Sequence, residues 1–92
     1  MIIWRKKQTF KLHELNMKTL SYLEKIKKSL SLPVIAAPMF LVSSPSLVVH
    51  ACKAGIIGSF PGTNAKNIGD LENWFKKISA DLSETDVPWA FN

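Results

Sequence analysis

The sequence predicts an α/β fold in which short buried strands run parallel and helices connect them. Three observations carry that expectation. Residues 32–60, LPVIAAPMFLVSSPSLVVHACKAGIIGSF, read as strand, loop, helix and strand, with a punctuating residue at nearly every junction. The strand candidates, residues 34–37 and 56–60, are apolar without alternation, the pattern of strands covered on both faces. A further helical period then leads to a third apolar run at residues 87–91. The predicted order is helix-β-α-β-α-β, and such βαβ crossovers are right-handed almost without exception.

Taken in order, residues 1–15 form a basic lead-in with no sustained period, and poor order is expected there. Residues 16–29 read as a helix. Leu20, Leu23, Ile26 and Leu30 fall on or near one stripe, and Glu24 to Lys28 is a favourable i,i+4 pair. Leu32 and Pro33 end that helix, because a residue before proline disfavours the helical region. Pro33 then opens the first strand, where a missing N–H does least harm, and Pro38 stops it. Ser43 and Ser44 are hydroxyl caps, and Pro45 suits the first helical position. Leu47, Val48 and Ala51 recur at helical spacing, and Gly55 can leave the helix left-handed. Ile56 and Ile57 begin the second strand, which runs to Phe60. The turn-rich loop Pro61, Gly62, Thr63, Asn64 follows. Asn67 is placed as the cap of the next helix, with Asp70 in its acidic first turn. Leu71, Trp74, Phe75, Ile78 and Leu82 make its apolar face, with Lys76 and Lys77 opposite. Residues 83–86 are a polar connection to the third strand, residues 87–92.

Residues 33–61, with their strand ending in Ala37-Pro38-Met39, Ser-x-Pro helix start at Ser43 and Pro45 and Ala51-Cys52-Lys53-Ala54-Gly55 exit, resemble the N-terminal signature of the nitronate monooxygenase family, formerly called 2-nitropropane dioxygenases. The likeness extends over residues 32–92, about two thirds of the chain, including the closing Pro88-Trp89-Ala90-Phe91-Asn92. Members of that family are FMN-dependent (β/α)8, or TIM-barrel, enzymes. The resemblance implies that residues 16–92 are the N-terminal part of such a barrel, with the helix at residues 16–29 plugging its N-terminal end. A barrel of this kind takes roughly 250 residues. With 92 residues, and an apolar run just before Asn92, the chain is expected to be a fragment. Departures exist: Ser44 stands where the family usually has glycine, Ser46 where it has an acidic residue, and the loop at residues 61–64 differs. Enoyl reductases of the same flavin-barrel superfamily also resemble this region, though their first strand more often ends in Gly-Pro-Met.

In such barrels ligands sit where the strands end and the βα loops diverge. By resemblance, Ala37, Pro38, Met39 and Phe40 lie beside the isoalloxazine ring of FMN, and Asn92 matches an asparagine whose side chain contacts that ring. The chemistry suits the residue types. A flavin needs an apolar wall with a few fixed polar partners, proline leaves a carbonyl acceptor with no competing N–H, and methionine is a soft packing surface. The bland reading is that Pro38 terminates a strand and Met39 fills core. Ser59 and Phe60 line the same end and suit packing as well as binding. The implied reaction is oxidation of a nitronate or nitroalkane by dioxygen to a carbonyl compound and nitrite. No catalytic residue is assigned within the chain, because the family's histidine base comes from a later strand. His50 on the first crossover helix and His13 in the lead-in read as non-catalytic. Cys52 reads as a buried, inert thiol. No metal-ligand spacing, carboxylate pair or Gly-rich phosphate loop is present.

The net charge of +5 is uneven. Residues 1–30 hold eight of the twelve Lys and Arg against Glu14 and Glu24, while the remainder carries −1. A small basic nucleic-acid-binding protein is therefore the competing class, supported by Trp4 and Phe10 among those lysines. The charge does not extend onto the βαβ region, which favours a solvated basic face and no nucleic-acid partner. A third reading is a structural module that pairs with another chain. One cysteine excludes an intrachain disulfide and fits a reducing compartment. The residues 1–4 run is too short for a signal sequence and precedes the basic residues, and the prolines of residues 32–60 argue against a membrane span. A cytoplasmic location is expected.

Overall fold

Ser44, extended at φ −134° and ψ 167°, accepts a hydrogen bond from the Leu47 N–H and so satisfies a donor that a helix start leaves unpaired. With Pro45 in its first turn, helix α2 spans Pro45–Lys53. Gly55 takes φ +90°, a conformation open to glycine, and its carbonyl accepts from the Ser31 N–H at 2.8 Å. Gly58 opens strand β2 (Gly58–Phe60). A Cβ there would sit 2.6 Å from the Val48 carbonyl oxygen, so the missing side chain lets α2 lie directly on the strand.

The computed structural model describes residues 2–4 and 17–92. Beyond α2 and β2 it contains strand β1 (Ile2–Trp4), helix α1 (Met17–Ser29), a 3-10 turn at Gly62–Asn64, helix α3 (Ile68–Asp81) and strand β3 (Trp89–Phe91). Asn67 caps α3 by accepting from the Asp70 N–H at 2.8 Å, and Asp70 accepts from the Lys66 N–H at 3.1 Å. The chain around this start is thus bound reciprocally, side chain to backbone on both sides.

β2 and β3 pair in parallel, Gly58 opposite Trp89, Ser59 opposite Ala90 and Phe60 opposite Phe91. On the other side of β2 the chain at Ile35 forms one parallel bridge with Ile57, through Ala36 N–H to Ile57 C=O and Ile57 N–H to Val34 C=O at 2.8 and 3.0 Å. The full strand expected at residues 34–37 is reduced to that bridge. Pro33 and Pro38 leave four residues between them, and Val34 and Ile35 are exposed instead of covered on both faces. β1 pairs antiparallel along the far edge of β3, Ile3 opposite Ala90. No strand was expected in residues 1–15. Of that stretch only Ile2–Trp4 are described, so the disorder expected for the rest lies outside the described residues.

Strand alternation splits the core in two. Phe60, Trp89 and Phe91 face α2 and α3, where Val48, Val49, Cys52, Ile78 and Leu82 are buried. Phe60 is the centre of this side, edge-on to Trp74 at 5.4 Å and stacked with Trp89 and Phe91 at 6.1 Å each. Ile57 and Ala90 face the other way and bury Ile26 of α1, with Leu30 packed beside them. α1 ends next to Gly55, so it covers the N-terminal half of this second face.

Candidate functional site

The segments that carry the expected site residues end on the same side of the sheet, residues 37–40 after the bridge to Ile57 and Asn92 after β3. After the bridge at Ile35, Ala36 accepts a hydrogen bond from the buried Ser59 hydroxyl, which ties the end of the first segment to β2. The chain then turns through Ala37, Pro38, Met39 and Phe40 toward α2. Asn92 continues the pairing of β3 with β2: its N–H donates to the Phe60 carbonyl at 3.2 Å, and its carbonyl accepts from the Gly62 N–H at 2.7 Å. The loop after β2 therefore lies beside the end of β3.

Asn64, at the end of the 3-10 turn, ties the loop after β2 to residues 39–43. Its Oδ1 accepts from the Leu41 N–H at 3.0 Å, and its Nδ2 donates to the Met39 carbonyl at 3.0 Å and to the Ser43 carbonyl at 2.9 Å. Ser43, almost fully buried, accepts from the Met39 N–H on its Oγ at 2.8 Å. The Met39 carbonyl also receives the N–H groups of Val42 and Ser43, at 3.2 and 3.0 Å. Leu41 is held at φ +63°, a left-handed conformation that costs a residue with a Cβ about 1 kcal/mol or more. The hydrogen bonds flanking Leu41 are what hold it there.

Seen from solvent the loop is apolar. Phe40 is 66 % exposed, Leu41 80 % and Val42 60 %, with Met39 and Ile35 alongside. A contiguous apolar surface of this kind marks a place where something binds or packs. Asn92 is exposed beside the Gly62 turn. Ser59 and Phe60 are buried and already engaged, Ser59 with Ala36 and Phe60 in the aromatic cluster, so both serve packing here.

The remaining candidates are not at this site. His50 is exposed on α2, and its Nδ1 donates to the Ser46 carbonyl of its own helix at 2.7 Å. Cys52 is buried beneath α2, its Sγ donating to the Pro88 carbonyl at 3.6 Å. Burial pushes its thiol pKa up, against a smaller opposing effect of a hydrogen bond with the Gly58 backbone. It is a poor nucleophile at neutral pH. His13 lies outside the described residues. Among the described residues no group of three or more His, Cys, Asp or Glu could hold a metal ion, and no helix is long and apolar enough to cross a membrane.

Sequence reasoning passed over Asn64 and used Ser43 only as a cap. The available signal was an asparagine in a Gly-Pro-rich turn, a residue whose amide offers both donors and an acceptor to stray backbone groups. No family model, curated protein or solved structure matches the chain.

Proposed function

We propose that the chain is the opening part of an FMN-dependent nitronate monooxygenase of (β/α)8-barrel architecture, with Ala37, Pro38, Met39, Phe40 and Asn92 along the flavin-ring side of its pocket. The reading is supported above all by one observation: these residues follow the C-terminal ends of parallel-paired segments, Ala37 to Phe40 on a loop with apolar side chains exposed and Asn92 directly after β3. The order α1, bridged segment at Ile35, α2, β2, α3, β3, the Pro45 helix start and the Gly55 exit accord with it.

The residues fit the ring of the cofactor and supply nothing for its phosphate. Met39 and Phe40 offer an apolar wall that would exclude water from one face of a planar ring, and Pro38 offers a carbonyl without an N–H of its own. Bound FMN would supply the redox chemistry by which a nitronate or nitroalkane and dioxygen become a carbonyl compound and nitrite. Neither His50 nor Cys52 is placed to move the substrate proton, so this reading gives that role to a histidine of further polypeptide, as the family resemblance implies. The chain alone is expected to be inactive. A lone reduced cysteine suits the cytoplasm, which is where the reading puts it.

The test is an absorbance scan of the intact gene product for bound flavin, with nitrite release measured from a nitronate in air. A flavin spectrum with nitrite formation is expected. A colourless protein that releases no nitrite would overturn the reading. A flavoprotein that instead oxidises reduced nicotinamide with an enoyl substrate would assign the related reductase class.

A further inference from the structure

We infer that Asn64 is the positioning residue of this site, and that its side-chain amide decides which backbone groups of residues 37–43 remain open to a ligand. The inference rests on the flavin reading only for the identity of that ligand. The backbone of the loop carries more polar groups than its short turn can pair internally. Asn64 reaches across from the next βα loop, 21 to 25 residues later in the chain, and takes the Leu41 N–H, the Met39 carbonyl and the Ser43 carbonyl. Ser43 takes the Met39 N–H. Among the described residues, that leaves the N–H and C=O of Ala37, the C=O of Pro38, the N–H and C=O of Phe40 and the C=O groups of Leu41 and Val42 without partners. Within residues 37–40 alone, two donors and three acceptors lie beside the exposed side chains of Met39 and Phe40. A planar heteroaromatic whose rim alternates donors and acceptors, such as a flavin pyrimidine, is the ligand class that this set would read.

The fixed geometry matters because Leu41 sits at positive φ, a state the free loop would leave. Without the Asn64 amide the Leu41 N–H would swing away, and the Phe40 groups next to it would lose their direction. Preorganisation of this kind lowers the ordering cost of binding. Other side chains at position 64 would not substitute. Aspartate keeps an acceptor for Leu41 but sets a carboxylate against the Met39 and Ser43 carbonyls, and alanine offers neither function.

The experiment is residue-resolved amide hydrogen exchange on the 92-residue chain and its N64A and N64D variants, each repeated with riboflavin, which carries the ring without the phosphate. In N64A, exchange at Leu41 should accelerate about tenfold or more, as the loss of a hydrogen bond with local opening implies. Protection within α3 should stay unchanged, so that general unfolding is distinguished. In N64D, Leu41 should stay protected while Val42 and Ser43 exchange faster, and their protection should recover as the carboxyl group is protonated at low pH and can donate again. Unchanged exchange across residues 41–43 in N64A, or equal loss at all three in N64D at every pH, would overturn the inference whatever the ligand. With riboflavin, the wild-type chain should gain protection at Ala37 and Phe40, and N64A should not. If the wild type shows the clamp in exchange yet gains nothing from riboflavin, the assignment of Asn64 stands, and the flavin reading is decided by the absorbance and nitrite assay of the intact gene product.

Discussion

Gly58 and Cys52 show how little freedom single positions have in a core this small. The Val48 carbonyl oxygen lies 2.6 Å from where a Cβ on Gly58 would be, and both partners are backbone, so neither can rotate aside. Gly58→Ala should therefore lower stability by about 1–3 kcal/mol, the usual cost of overpacking, read as a fall in the urea midpoint. Cys52 makes a prediction about pH. Its folded pKa is raised above the ordinary 9.0, so the native thiol holds its proton where the unfolded thiol has begun to lose it. The contribution is complete below the unfolded pKa and is lost as pH rises through the folded value. Stability should fall across that alkaline window, and Cys52→Ala should flatten the decline. A decline of equal steepness in the variant would show that other groups cause it.

At the scale of elements, the helix signals were legible because each is local. Asn67 bonds a group three residues away, and Asn67→Ala should cost α3 about 1 kcal/mol, within the 0.5–2 kcal/mol span of lost caps. The same is true of Ser44, Pro45 and Gly55, whose conformations follow from their own chemistry. The strands were legible only as apolar runs. Residues 34–37 have the composition of a strand, yet pairing needs a neighbour, and Ile57 provides one for Ile35 alone. Ile2–Trp4 has too few residues to signal a strand, and its partner, β3, lies at the other end of the chain. The site divides in the same way. The apolar loop at Ala37, Pro38, Met39 and Phe40 stands out in the sequence, whereas the amide that shapes it acts across 21 to 25 residues and leaves no local trace.

For the whole molecule, the two edges of the sheet are treated differently. β1 covers the outer edge of β3 with an antiparallel ladder, the edge that a fourth parallel strand of a barrel would need. β1 and such a strand cannot both hold it, so a completed barrel would require β1 to move away. At the opposite side, the residue 34–36 segment pairs only with Ile57 among the described residues, and Leu32, Val34, Ile35, Phe40, Leu41 and Val42 are all exposed. An exposed strand-like segment with an apolar surface is a template for association. The 92-residue chain should accordingly form concentration-dependent oligomers in light scattering and enhance the fluorescence of a hydrophobic dye. The double substitution Phe40→Ser and Leu41→Ser should weaken both while leaving helicity intact, because both side chains face solvent and Leu41 contributes to the loop through its N–H. A wild-type chain that stays monomeric at high concentration and leaves the dye dark would mean that this surface needs no cover, and the case for a larger barrel around it would lose its physical ground.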